Sequence, residues 1–182
     1  MSNRHTYNTD QSLADACARN NPRAQRLLYE RYVDLLYHTA YRYCFHREQT
    51  EDILQITFTK AFSAIGQYDA NKASLKTWLR RICINTTTDV LKKEAKWECL
   101  WEHEPTSASL PLQFDHYDIE YIMQLIEGLP QEQRAVFNLY EIEGYAHDEI
   151  ASMLGVNVNS CRVYLSRAKK QLRAALQHRE RV

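Results

Sequence analysis

Apolar positions recur along this chain with helical period, and they do so in two separate stretches. In the first, Leu27, Leu28, Tyr32, Leu35, Leu36, Ala40 and Tyr41 repeat at intervals of three and four residues, which predicts one long amphipathic helix. Leu54, Phe58, Ala61, Phe62 and Ile65 form the stripe of a second helix, with Gly66 as its expected stop. Leu75, Trp78, Leu79, Ile82 and Thr86 mark a third, which should begin with Ser74 as its cap. In the other stretch, Ile119, Ile122, Leu125 and Ile126 predict a short helix stopped by Gly128 and Pro130. Val136, Phe137, Tyr140 and Ile142 predict another, stopped at Gly144. Two more helices follow, divided at Gly155.

Between the stretches the period fails. Pro105, Thr106, Ser107, Ser109 and Pro111 lie among acidic residues, with no Lys or Arg from 97 to 120. That composition reads as a flexible linker. The expectation is an all-α chain of two small helical domains, residues 12–96 and 117–178, joined by an acidic linker at 97–116. The chain has only four Gly and four Pro in 182 residues, too few for an all-β fold. It has no apolar run near the roughly 20 residues of a membrane span and a polar start from Met1 to Asp10, so no membrane insertion and a cytoplasmic location are expected. The five cysteines show no paired ligand spacing and read as small apolar residues in a reducing compartment, with no metal and no cofactor implied.

Net charge is zero, which at first argues against a nucleic-acid partner, but its distribution reverses that. Residues 12–96 hold 14 basic and 9 acidic side chains, and residues 151–182 hold 7 and 1. Residues 97–120 hold none and 6, and residues 121–150 hold 1 and 6. Phosphate responds to local potential within a Debye length of about 8–10 Å, so two basic blocks can bind nucleic acid in a neutral chain.

The last basic block is also the most specific element. From His147 the sequence reads as helix, tight turn, helix, with Gly155 in the left-handed turn and Asn157 as N-cap, satisfying an N–H at Asn159 or Ser160. Cys161, Leu165, Ala168 and Leu172 repeat at i, i+4, i+7, i+11 and should face a core. Asn159, Val163, Ser166 and Lys170 lie opposite, flanked by Arg162 and Arg167. This describes a helix-turn-helix, whose second helix enters the major groove. Its early residues, including Ser160, would reach base edges, and Lys169, Lys170 and Arg173 would meet phosphates. The bland alternative is a surface helix with solvated charges.

The third helix of the first stretch carries a second polar face. Arg81, Asn85, Thr88 and Lys92 fall at i, i+4, i+7, i+11, and Lys76, Arg80 and Lys93 extend the positive field. Amide and hydroxyl groups between cations suit a strand whose bases are read. Trp78 fits core packing better than base stacking; Tyr68, in the polar loop 67–73, fits either.

Taken in order, the motifs Leu28-Tyr-Glu-Arg-Tyr32, Thr50-Glu-Asp-Ile-Leu-Gln-Ile-Thr-Phe58, Leu75-Lys-Thr-Trp-Leu-Arg-Arg-Ile-Cys-Ile-Asn85 and Tyr145-Ala-His-Asp-Glu-Ile-Ala151, followed by Arg162-Val-Tyr-Leu-Ser-Arg-Ala-Lys169, resemble the bacterial extracytoplasmic-function sigma factors. The resemblance runs from about Ser12 to Leu176. It implies a non-enzymatic factor that binds core RNA polymerase, through clamp helices and flap, and promoter DNA, both duplex and melted strand. It also implies an anti-sigma factor as a further partner. On the matching positions, Asp52, Gln55, Ile56 and Thr59 would dock on polymerase. Tyr68, Lys76, Arg80, Arg81, Asn85, Thr88 and Lys92 would meet the minus-ten element, with Asn85 holding a flipped-out base walled by the 67–74 loop. Asn159, Ser160, Arg162, Val163, Arg167 and Lys170 would meet the minus-thirty-five element. The chain departs from the family at Ala146, where Ser or Thr is usual, and at Val163-Tyr164, where a small polar residue and Arg are common. A rival reading is an autonomous helix-turn-helix regulator with a helical sensor or dimerisation domain, which would bind promoter duplex but initiate nothing. An enzyme acting on nucleic acid would need a metal cluster, a nucleophile–base pair or a phosphate loop, and no such pattern is present.

Overall fold

The computed structural model describes residue 7, residues 9–94 and residues 119–179, and the expected linker at 97–116 lies outside them. The described residues are helical with no strand, in the order α1 (Asp10–Ala18), α2 (Pro22–Cys44), α3 (Arg47–Ala64), α4 (Leu75–Glu94), α5 (Ile119–Glu127), α6 (Gln131–Phe137), α7 (His147–Leu154) and α8 (Val158–Arg179). The chain divides into two compact units, residues 1–87 and 88–182, with the division inside α4.

In the first unit α2 is the long helix expected from its stripe. Pro22 occupies its first position, where no N–H is needed, and the Asn21 Oδ1 accepts from the N–H groups of Arg23 and Ala24 at 3.0 and 3.3 Å. As α2 packs on α3, Leu28, Leu36 and Ile53 are fully buried, and so are Leu75 and Leu79 of α4. Each such side chain contributes about 1.5–3 kcal/mol by leaving water. Two features depart from expectation. A separate short helix, α1, precedes α2; Thr9 and Ser12 cap it reciprocally, and it packs on α2 and on the turn after α3. That turn, Ile65–Gln67, is a 3₁₀ turn, and Gly66 does not take the left-handed conformation expected of a glycine stop. The tighter i→i+3 winding itself closes the helix.

In the second unit α8 is the spine, packed by α6, α7 and α5. Val136, Leu139, Ile150, Leu154, Cys161, Ala168 and Leu172 form its core. The Arg134 guanidinium donates to the Glu127 and Leu129 carbonyls at 2.8 and 3.2 Å, satisfying acceptors at the end of α5. After Phe137 the helix widens into a π-helical turn, Asn138–Ile142, and the Glu143 N–H donates to the Asn138 carbonyl at 3.0 Å. Gly144, at φ +78°, then ends it.

Candidate nucleic-acid and polymerase interfaces

The helix-turn-helix is built as the sequence predicts. Gly155 closes α7 at φ +71°, where a Cβ would be strained, and its N–H donates to the Ala151 carbonyl at 2.9 Å. The Asn157 Oδ1 accepts from Ser160 N–H at 2.6 Å, which settles the choice between Asn159 and Ser160. At Ala146 no side chain caps α7; the Glu149 carboxylate alone reaches back, accepting from Ala146 N–H at 2.9 Å.

On α8, Asn159, Arg162, Arg167 and Lys170 are exposed, and the Arg162 guanidinium donates to Asn159 Oδ1 at 3.2 Å. Two residues expected to read bases are not presented. Ser160 is buried, because the third position of α8 lies beneath the capped turn. Val163 is only 9% exposed although it lies opposite the Cys161 stripe, so α8 is covered around more of its circumference than one apolar stripe implies. Lys169, expected at a phosphate, instead pairs with Glu141 from the π-turn at 2.6 Å. His147, the first residue of α7, stacks on Tyr140 at 4.5 Å. Burial, then the Arg162 charge, pushes its pKa below the ordinary range despite an opposing contribution from Asp148, which favours the neutral ring.

Along α4, Lys76, Arg81, Asn85 and Lys92 are exposed and Arg80 is half-buried. Thr88 does not join that face. It is buried with Thr86 and Thr87, and the Thr87 hydroxyl donates to the Cys83 carbonyl at 2.8 Å, so that hydroxyl is satisfied by its own helix. The start of α4 is capped as expected, with Thr77 N–H donating to Ser74 Oγ at 3.2 Å.

Tyr68 resolves toward packing. Its ring meets Trp78 edge-on at 5.7 Å, and its hydroxyl donates to the Ala73 carbonyl at 3.1 Å, spanning the 68–73 loop from within. Burial raises the phenol pKa, reinforced by the nearby Asp10 carboxylate. Asp69 organises the loop tip, accepting from Asn71 N–H and Nδ2 at 2.9 and 3.0 Å.

Asp52, Gln55 and Thr59 are exposed on one face of α3, with Ile56 at 43% exposure among them. The sequence reading missed Tyr29 of α2. It is 47% exposed, with its ring 4.7 Å from that of Phe58, on the side of α2 that faces α3. Its signal was present in the one aromatic of the 28–32 motif that falls off the buried stripe.

The charged and amide faces are therefore presented by helices whose opposite sides form the cores. Among the described residues no helix is long and apolar enough to cross a membrane, and no group of three or more His, Cys, Asp or Glu is placed to hold a metal ion.

Comparisons with known proteins agree with these features. The family profile for sigma-70 region 2 matches residues 28–97, and that for sigma-70 region 4 matches residues 119–172, together more than half of the chain. The chain is 28% identical to the RNA polymerase sigma-H factor of Pseudomonas aeruginosa, covering 94% of this chain and 96% of that protein. It is 29% identical to the ECF RNA polymerase sigma factor SigE of Mycolicibacterium smegmatis, covering 80% of this chain but only 59% of that longer relative. Among solved structures, the sigma factor RpoE of Bartonella quintana, in complex with the anti-sigma factor NepR, shares the fold with a TM-score of 0.51 at 20% identity, over 84% of this chain and 96% of that one. Two sigma-70 regions in their family order, with the Pseudomonas relative matched over nearly its whole length, show that the chain belongs to the extracytoplasmic-function group of RNA polymerase sigma factors, which are initiation factors and not enzymes.

Proposed function

We propose that this chain binds core RNA polymerase through the α3 face of Asp52, Gln55, Ile56 and Thr59, and directs it to promoters read at two elements. Residues 12–96 act on the minus-ten element and residues 117–178 on the minus-thirty-five element, with 97–116 linking them. On α4, Asn85 holds a base extruded from the duplex, and Arg81, Lys76, Arg80 and Lys92 hold the melted strand. Tyr68 supports the adjoining loop from within, and Thr88 supports the helix. On α8, Asn159, Arg162 and Arg167 meet base edges, with Arg162 aimed by Asn159, and Lys170 meets phosphate. The single observation that carries this reading is the exposed Asn85 amide set between Arg81 and Lys92 on α4, in a chain that also carries a capped helix-turn-helix. Unstacking a base costs a few kcal/mol, which hydrogen bonds to its edge and the capture of its strand offset.

An anti-sigma factor that covers these faces is a fitting regulator, since a related fold is held by one, and the work belongs in the cytoplasm beside the polymerase. The test is initiation by the purified chain with core RNA polymerase on a randomised promoter library. Asn85→Ala is expected to lower open-complex formation about tenfold or more while duplex binding changes little. Initiation from no promoter by the unaltered chain, despite tight duplex binding, would favour an autonomous regulator.

A further inference from the structure

The 67–74 loop is held from outside itself, by the first turn of α1. The Asp10 Oδ2 accepts from the Leu75 N–H at 3.0 Å, capping the first residue of α4. The Gln11 Oε1 accepts from the Ala70 N–H at 3.1 Å, at the loop's tip. Gln11 is itself fixed, its Nε2 donating to Asp15 Oδ1 at 2.8 Å one turn along α1. Behind these two bonds Leu13, Ala14, Ala16 and Cys17 are buried, so the turn that bears them is set by packing. Asp10 also places a negative charge at the N-terminal ends of α1 and α4 together, where both helix dipoles favour it. The loop's own bonds, Asp69 to Asn71 and Tyr68 to Ala73, hold its shape, and the Tyr68 ring on Trp78 ties its first part to α4; the Gln11 bond acts further out, at the tip. The sigma-70 region 2 profile begins its match at residue 28, after α1.

We propose that Asp10 and Gln11 are positioning residues for base selection: they fix the loop against α4 and so set how closely the captured base must fit beside Asn85. This rests on the base-capture reading above. Neither side chain touches DNA. Their effect is on discrimination between bases, because a wall that can drift accepts a wrong base nearly as well as the right one.

The experiment uses the full chain with core RNA polymerase on a promoter drawn from the library selection, remade with each of the four bases at the captured position. Open-complex yield is measured for the unaltered chain and for Gln11→Ala, Asp10→Ala and Asp10→Asn. Gln11→Ala and Asp10→Ala are each expected to lower the preference for the best base over the next by about fivefold, the value of one hydrogen bond. Asp10→Asn, which keeps an oxygen for Leu75 N–H, should retain most of the preference. Binding to promoter duplex upstream should stay within about twofold for all three, since that contact is proposed for the other unit. Amide exchange gives a readout that does not depend on promoters: Gln11→Ala should speed exchange at Ala70, and Asp10→Ala at Leu75. Folded variants with unchanged base preference, or with unchanged exchange at Ala70 and Leu75, would overturn the proposal. If the unaltered chain opens no promoter the base-capture reading falls with it, whereas opening with a preference insensitive to these variants overturns the positioning role alone.

Discussion

Lys169 and Lys170 are neighbours in sequence with opposite roles. The Lys169 side chain is 8% exposed and its ammonium meets Glu141 at 2.6 Å, whereas Lys170 points to solvent. Glu141 is 29% exposed, so the two partners would respond differently to loss of the other. Removing the lysine leaves a carboxylate that water can reach; removing the glutamate leaves an ammonium that it cannot reach without local opening. Glu141→Ala is therefore expected to destabilise the fold by about 2–3 kcal/mol, and Lys169→Met by less than about 1 kcal/mol, as read from urea denaturation midpoints. Equal losses would mean that Lys169 stays hydrated in solution. The partner of Lys169 could not be read from spacing, because Glu141 lies 28 positions away and reaches it only through the π-turn.

At the element scale, α7 has an incompletely capped start. Its neighbour α8 has a full side-chain cap in Asn157, but α7 begins at Ala146 with only the Glu149 half of a reciprocal cap. Ala146→Ser would supply the missing acceptor in a backbone already extended at φ −74°, ψ 158°. It should stabilise the protein by about 0.5–1 kcal/mol, seen as a rise in thermal midpoint, with no change in promoter preference. This uncapped start, the Gly155 turn and the Asn157 cap were all legible in the sequence, because capping chemistry acts over three or four residues. So was the core stripe of α8. The burial of Ser160, Val163 and Thr88 was not legible: a single-stripe helical wheel assumes one covered side, while these helices are covered on more. The loop clamp was equally hidden, since Gln11 and Ala70 are 59 positions apart and neither belongs to a recognisable motif.

For the molecule as a whole, neutrality is a sum over opposed blocks, and salt separates them. Each phosphate contact made by a cation steepens the fall of log K with log salt concentration by about 0.9. Lys170→Gln should therefore make that dependence shallower by about one unit for duplex promoter DNA, while Lys169→Met should leave it unchanged. Titrations at several salt concentrations would check both, and a shallower slope for Lys169→Met would move Lys169 back to the DNA. The fold class and the order of the two regions were legible because helical periodicity and charge blocks persist over tens of residues. Which cations reach phosphate was not, because composition counts a paired lysine and a free one alike.

The widened turn at Asn138–Ile142 has a consequence for how this lineage can change in length. A π-turn is one residue more than ordinary helical pitch requires, lodged within a helix instead of a loop. Losing that residue would rewind the helix and rotate everything beyond it by about 100°, carrying Glu141 away from Lys169 and Tyr140 away from His147 at one stroke. Relatives that lack the extra residue would be expected to lack both pairings together. An alignment that seeks its gap only in loops would then set the wrong residues opposite one another through the approach to the DNA-reading helix.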